Sequence, residues 1–230
     1  MSLADDRRQG GPGPDWSAVD TVLLDLDGTL LDLAFDNYFW LELIPQAYGR
    51  ARGLEPAAAR AHLMPRYRAH EGTLNWYCIE HWSRELGLDV VELKRTAAAR
   101  IAWLPGAREG LLSLRARGKR LVLLTNAHPA TLAIKDERTG VRELVHAVVS
   151  SHTVGAPKEH PEFWRDVQRL ESFDRERSLF VDDSLPVLRA ARTAGVRWVY
   201  GVRRPDSSAH ERQHEDIPGF DSLAELVATL

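Results

Sequence analysis

The stretch Val22–Asp32 reads VLLDLDGTLLD, and two acids, Asp25 and Asp27, interrupt what is otherwise an apolar run. A short apolar run closed by a Gly-Thr turn is the pattern of a strand buried on both faces, as parallel sheets use them. Ionised carboxylates at the end of such a strand are costly unless they are paired or bind a cation. The rest of the chain therefore has to supply their partners. Gly28 allows an unusual backbone turn beside the acids, and Thr29 adds a hydroxyl.

Four further stretches share this short, apolar, β-branched character: RLVLLTN ending at Asn126, HAVVSSH ending near Ser151, SLFVDDS ending at Ser184 and VRWVYGV ending at Val202. Amphipathic patterns such as PGAREGLLSLRARGK and LPVLRAARTAG lie between them. Strands that alternate with helices require crossover connections, and these are right-handed. The fold class is α/β: a Rossmann-like open parallel sheet flanked by helices, expected over residues 19–32 and 104–230.

Residues 33–103 break this rhythm with helix-period patterns and no strand. Pro56 at an early helical position, with Gly53 and Gly87 as stop signals, marks the helix boundaries. An all-helical insert placed after the first strand hangs over the crevice where open α/β sheets bind ligands. Residues 33–103 are thus expected to form a cap, with hinges near Leu33 and between Trp103 and Gly106. Residues 1–18 read as a flexible leader, RRPDSSAHERQHEDIPG as a polar loop and FDSLAELVATL as a closing helix.

Composition narrows the function. Thirty Lys and Arg against 33 Asp and Glu give a formal charge of −3, so no overall basic field favours nucleic acid. No run approaches the roughly 18 apolar residues of a membrane span, and the N-terminal segment lacks the apolar centre of a signal peptide. The single cysteine, Cys78, excludes an intramolecular disulfide and fits a reducing, cytoplasmic setting. A small-molecule partner is expected.

In a parallel sheet all strands point the same way, so acids ending neighbouring strands converge on one rim. Asp25 and Asp27 end the first strand, and Asp182 and Asp183 end the fourth. Several carboxylates in one small volume call for a cation, and all-oxygen ligation without a Cys/His cluster suits Mg²⁺. Thr125 and Asn126 add a hydroxyl and an amide after the second strand, and Lys158 adds a positive charge after the third. A metal, a lysine and hydroxyl donors around a carboxylate nucleophile describe a phosphoryl-transfer site. Lysine is rare, present only at positions 94, 119, 135 and 158.

DLDGT, LLTNA, GAPK and FVDDS, in this order, resemble the four motifs of the haloacid dehalogenase-like hydrolase superfamily, with the insert in the position of its helical cap. DTVLLDLDGTLLDLAFDNYFW, TLNWYC, LLTNAHP and LFVDDS resemble more narrowly the superfamily's purine nucleotidases. The resemblance implies Asp25 as nucleophile and Asp27 as general acid and base. It implies phosphoryl contacts from Thr125 and Lys158, and Mg²⁺ held by Asp25, the Asp27 carbonyl, Asp182 and Asp183. One departure stands out: many relatives carry proline directly after the motif lysine, where this chain has Glu159.

The expected substrate is a purine nucleoside 5'-monophosphate, GMP or IMP, with Asn126, Asn75, Trp76 and Asn37 as binding residues. Tyr38, Trp40 and Tyr77 also offer stacking surfaces, although aromatics at helical spacing equally serve to pack helices together. His128 could touch phosphate or simply end a loop, whereas the polar surroundings of His210 and His214 argue against a metal site there. Sugar phosphates, phosphoglycolate and a phosphomutase reaction remain alternatives, as does a non-catalytic binding module on the same scaffold. Asp27 argues against a dehalogenase, which needs no second acid.

Overall fold

Thr21–Leu24 forms β1, at the centre of a six-stranded sheet with order β3-β2-β1-β4-β5-β6. The other strands are β2 (Arg120–Thr125), β3 (Ala147–Ser150), β4 (Ser178–Asp182), β5 (Trp198–Val202) and β6 (Gly219–Phe220). Every pairing is parallel. The structure, a computed structural model, describes residues 13–214 and 216–230. Leu24 stands level with Leu123 of β2 and Val181 of β4, so the chain emerges from β1 between these neighbours. Period-two alternation sorts the side chains: Val22 and Leu24 join one core, and Leu23 joins the other with Val122, Leu124 and Phe180.

Helices α1 (Ala34–Tyr38), α2 (Ile44–Arg52), α3 (Pro56–His70), α4 (Leu74–Tyr77), α5 (Ile79–Leu86) and α6 (Val90–Thr96) follow β1 without an intervening strand. They have their own core, built from Phe39, Tyr48, Leu63, Tyr67, Trp82 and Leu86 among others. Pro56 occupies the first turn of α3, and α2 ends at Gly53 with φ 65°. The sheet's helices are α7 (Ala107–Ala116), α8 (Pro129–Thr139), α9 (Val141–Leu144), α10 (Ser151–Val154), α11 (Pro161–Leu170), α12 (Leu185–Thr193) and α13 (Leu223–Val227). Among the described residues, no helix is long and apolar enough to cross a membrane.

The helical segment leaves and rejoins the sheet along paired backbones. Leu31 bridges Trp103, Asp32 N donates to Ala102 O at 2.9 Å, and Leu104 N donates to Leu30 O at 2.9 Å. The two connections are thus hydrogen-bonded to each other.

Several details depart from the sequence expectation. The helix-period patterns after β1 do not run as regular α-helix throughout: a π-helical turn over Phe39–Leu43 separates α1 from α2, and α3 continues through Pro65. The supposed polar loop ends in β6, whose pairing of Gly201 with Gly219 is too short to leave a periodic signal. His214 in that loop is buried with Nε2 2.9 Å from the Val202 carbonyl, which makes it a core residue. The leader expected over residues 1–18 falls outside the described residues for positions 1–12. Its remainder is packed: Trp16 is buried and its Nε1 donates to Thr229 Oγ1 at 3.0 Å. Lys119 fastens the same segment by donating to the carbonyls of Trp16 and Val19.

Candidate active site

Because β1 and β4 are neighbours, Asp25 and the pair Asp182 and Asp183 meet on one rim. Carboxylate oxygens of these three residues lie within 4.8 Å of one another. Lys158, 2 % exposed, reaches between them from beyond β3. Its Nζ donates to Asp25 Oδ1, to Asp182 Oδ2 at 2.7 Å and to the Leu124 carbonyl at 3.0 Å. Ser184 N donates to the second Asp182 oxygen at 2.8 Å.

Asp183 is held by Arg212 Nη1 at 2.6 Å, from the loop after β5. Gly28, at φ 86°, passes so close that a Cβ there would lie 2.6 Å from the Asp183 carboxyl carbon. Only glycine satisfies both the left-handed conformation and this approach.

Burial dominates the electrostatics. It pushes the Asp25 carboxyl up to about 7, against the Lys158 ammonium and reinforced by the charges of Asp182 and Asp27. Burial also lifts Asp183 to about 7, with repulsion from Asp25 adding to it. Asp182 rises to about 6 for the same first reason, against the pull of Lys158. Lys158 itself is opposed by burial, yet Asp182 and Asp25 hold it above its ordinary value. A rim of three carboxyls raised by desolvation and mutual repulsion is one that a hard divalent cation would relieve. The donors are all oxygens, so the residues fit Mg²⁺.

Asp27 faces another way. Its side chain keeps 24 % exposure, and Lys135 Nζ donates to its Oδ1 at 2.5 Å. Lys135 also donates to Asp36 Oδ2 at 2.6 Å, and Lys94 donates to Asp36 Oδ1 at 2.8 Å. Both lysines are buried, one from each side of the seam between the helical segment and the sheet. Burial raises Asp27 although the Lys135 charge lowers it. Asp36 also faces the cost of burial, but Lys135 and Lys94 hold it well below the usual carboxylate range. The chain thus carries an acid inclined to hold a proton beside one firmly ionised.

Asp27 opens into a cavity of about 270 Å³ walled by Trp40, Met64, Tyr67, Trp76 and Tyr77 of the helical segment and by Ala127 and His128 of the sheet rim. That is close to the lower end of ligand pockets, about 300–1,000 Å³. Asn37 and Trp76 line it as well, and the Asn37 amide donates to Asp206 at 2.6 Å. Asn75 does not: it is exposed and outside the cavity lining, because its neighbour in α4 takes the inward side.

Asn126 Oδ1 accepts the Lys158 amide at 2.9 Å, and its Nδ2 donates to Glu159 at 2.9 Å. Thr125 is buried, with Oγ1 accepting the Ala127 amide at 3.0 Å. Thr29 is buried too, and its hydroxyl has no protein partner. Beyond the cavity wall His128 meets His152, and burial lowers both imidazoles, His152 to about 4.

Sequence reasoning missed Asp36, Lys94, Lys135, Glu159 and Arg212. Two signals pointed to Lys94, Lys135 and Glu159. In a chain that otherwise prefers arginine, each of the four lysines has a defined internal task. The departure at Glu159 has a structural role as well: its carboxylate accepts from Tyr77 of the helical segment and from Asn126 of the sheet. Arg212 left no signal, because it lies in an aperiodic polar loop that only tertiary contact brings to Asp183.

A family model of haloacid dehalogenase-like hydrolases matches residues 19–195. GMP/IMP nucleotidase YrfG of Escherichia coli (strain K12) is 42 % identical over 215 residues, covering 94 % of this chain and 97 % of that protein. A plasmid-encoded phosphoglycolate phosphatase of Cupriavidus necator is 29 % identical, covering 90 % of this chain and 92 % of that one. Among solved structures, a HAD phosphatase from Thermococcus onnurineus superposes with a TM-score of 0.74 at 22 % identity, covering 90 % of this chain and 96 % of that one. With the acids of β1 and β4 and the lysine beyond β3 on one rim, as the four motifs required, this chain belongs to the haloacid dehalogenase-like hydrolases.

Proposed function

We propose that the protein is a cytoplasmic Mg²⁺-dependent phosphatase that hydrolyses purine nucleoside 5'-monophosphates, GMP and IMP foremost, through a phospho-aspartate on Asp25. The observation that carries this reading is the adjacency of the Asp25–Lys158–Asp182 cluster to an aromatic cavity that Asp27 enters. The 42 % identity to a GMP/IMP nucleotidase supports the nucleotide preference.

Asp25 attacks phosphorus, the bond from phosphorus to the 5' oxygen breaks, and Asp27 delivers its proton to that oxygen as the nucleoside departs. Asp27, now ionised, takes a proton from water as the water oxygen attacks phosphorus. The bond to Asp25 then breaks, which frees inorganic phosphate and restores both acids. Lys158 balances the charge of Asp25 and Asp182 and, with Thr125 and Asn126, orients the phosphoryl oxygens. Asp25, the Asp27 carbonyl, Asp182 and Asp183 would hold Mg²⁺, which when bound neutralises charge on the transferring group.

Residues 33–103 act as the cap, with Trp40, Trp76 and Tyr77 walling the base against water and Asn37 available to its edge. Stacking on such rings contributes about 1–3 kcal/mol per base.

The test is phosphate release from a panel of nucleoside monophosphates, sugar phosphates and phosphoglycolate, with and without Mg²⁺, beside Asp25→Asn. Mg²⁺-dependent release that is strongest with GMP and IMP and absent in the variant is the expected result. Release confined to other esters would discard the nucleotidase reading while keeping the chemistry. No release from any ester would discard both.

A further inference from the structure

Outside the proposed phosphoryl site, three residues of another chemical character meet across the seam. Cys78 precedes α5 in the helical segment, His128 follows β2 and His152 lies in the first turn of α10 after β3. A ligand atom from each lies within 4.8 Å of the others. The two imidazoles meet edge to face with ring centres 4.7 Å apart. Both ring nitrogens of His152 are buried without any protein hydrogen-bond partner, an unusual state for a polar side chain. We propose that Cys78, His128 and His152 form a transition-metal site of the Zn²⁺ class that clasps the helical segment to the rim of the sheet.

A thiol and two imidazoles are borderline-soft donors that select zinc over the hard cation expected at the carboxylate rim. Tetrahedral zinc brings such atoms to about 3.4–3.6 Å from one another. The three side chains therefore need to close by only about an ångström. Cys78 Sγ already accepts the His81 amide at 3.4 Å, a contact that a coordinated sulfur keeps. His128 Nδ1 accepts the Ala130 amide at 3.2 Å, and this bond is given up when the ring ligates. Water is the candidate for the fourth position.

The geometry has a functional corollary. His128 also walls the cavity, and Tyr77, next to Cys78, does the same from the opposite side. An ion here would tie the two walls together.

The test uses the metal-stripped full-length protein and Zn²⁺ alone, titrated in competition with a chromogenic chelator. One tight equivalent is expected in the wild type and in Asp25→Asn. Cys78→Ser and His152→Ala are each expected to weaken it by more than the roughly 10- to 100-fold that follows loss of an outer-shell partner. With Co²⁺ in place of Zn²⁺, the wild type is expected to show a thiolate-to-metal charge-transfer band that Cys78→Ser lacks. The wild-type spectrum decides even if the histidine variant fails to fold. Zinc uptake undiminished in both ligand variants, uptake lost instead in Asp25→Asn, or a cobalt protein without the thiolate band would each overturn the site. None of these readouts depends on phosphatase activity.

Discussion

Asp25 and Asp27 are separated by one residue yet live in different electrostatic surroundings. Asp25 shares Lys158 with Asp182, whereas Asp27 shares Lys135 with Asp36. The second arrangement suits Asp27 to the proposed proton transfer: burial favours its neutral form while the lysine keeps the ionised form accessible. Asp27→Asn is expected to lower kcat for nucleotides by about 10²–10⁴-fold. The loss should be smaller for an aryl phosphate whose leaving group needs no proton, and steady-state rates on both esters measure that difference. Lys135→Ala leaves half-buried Asp27 without its lysine and half-buried Asp36 with Lys94 alone. Its expected cost is about 3–5 kcal/mol in denaturant unfolding.

At the scale of elements, the turn after β1 and the loop after β3 do most of the positioning. Leu30 and Leu31 both donate to the Leu26 carbonyl, and the Gly28 amide donates to Leu31 O at 2.7 Å. This folds Gly28 under Asp183. Gly28→Ala is expected to displace the Asp183 carboxyl, weakening Mg²⁺ activation of turnover as well as stability; a Mg²⁺ titration of the rate checks it. After β3, Glu159 joins the helical segment to the sheet through Tyr77 and Asn126. Glu159→Ala should cost about 1–3 kcal/mol by stranding buried donors, and adding Tyr77→Phe should recover part of it, because removing both partners is nearly neutral. A double-mutant cycle by chemical denaturation measures the recovery.

For the whole molecule, the acidic rim links stability to pH and metal. Asp25 and Asp183 rise from 3.8 to about 7 on folding, and Asp182 rises to about 6. Groups raised in this way contribute stability that is fully present below 3.8 and is lost as pH climbs through 6 to 7. The metal-free protein should therefore lose stability over that window. Mg²⁺, in its proposed site on the ionised rim, should raise Tm more above pH 7 than near pH 5, where the Asp25 and Asp183 carboxyls are mostly protonated. Thermal melts across pH, with and without the ion, test this directly. Crosslinking Leu33 to the sheet would further test whether the paired connections at Leu31 and Trp103 bend during turnover.

The sequence by itself determined the α/β class, the run of helices after β1, and the residues that end β1, β2 and β4. These follow from local pattern: apolar runs with period two or none, helical period between them, and acids where no surface strand would place them. Tertiary structure alone decided which acid meets which lysine, that Arg212 crosses to Asp183, that His214 is core and that Asn75 turns away from the cavity. Those outcomes depend on strand order and on how the helical segment sits against the rim. They are contacts between residues far apart in the chain, and no local periodicity records them. The rare lysines lie between the two cases: their scarcity was visible in the sequence, but the carboxylates and carbonyls they bind became visible only in the fold.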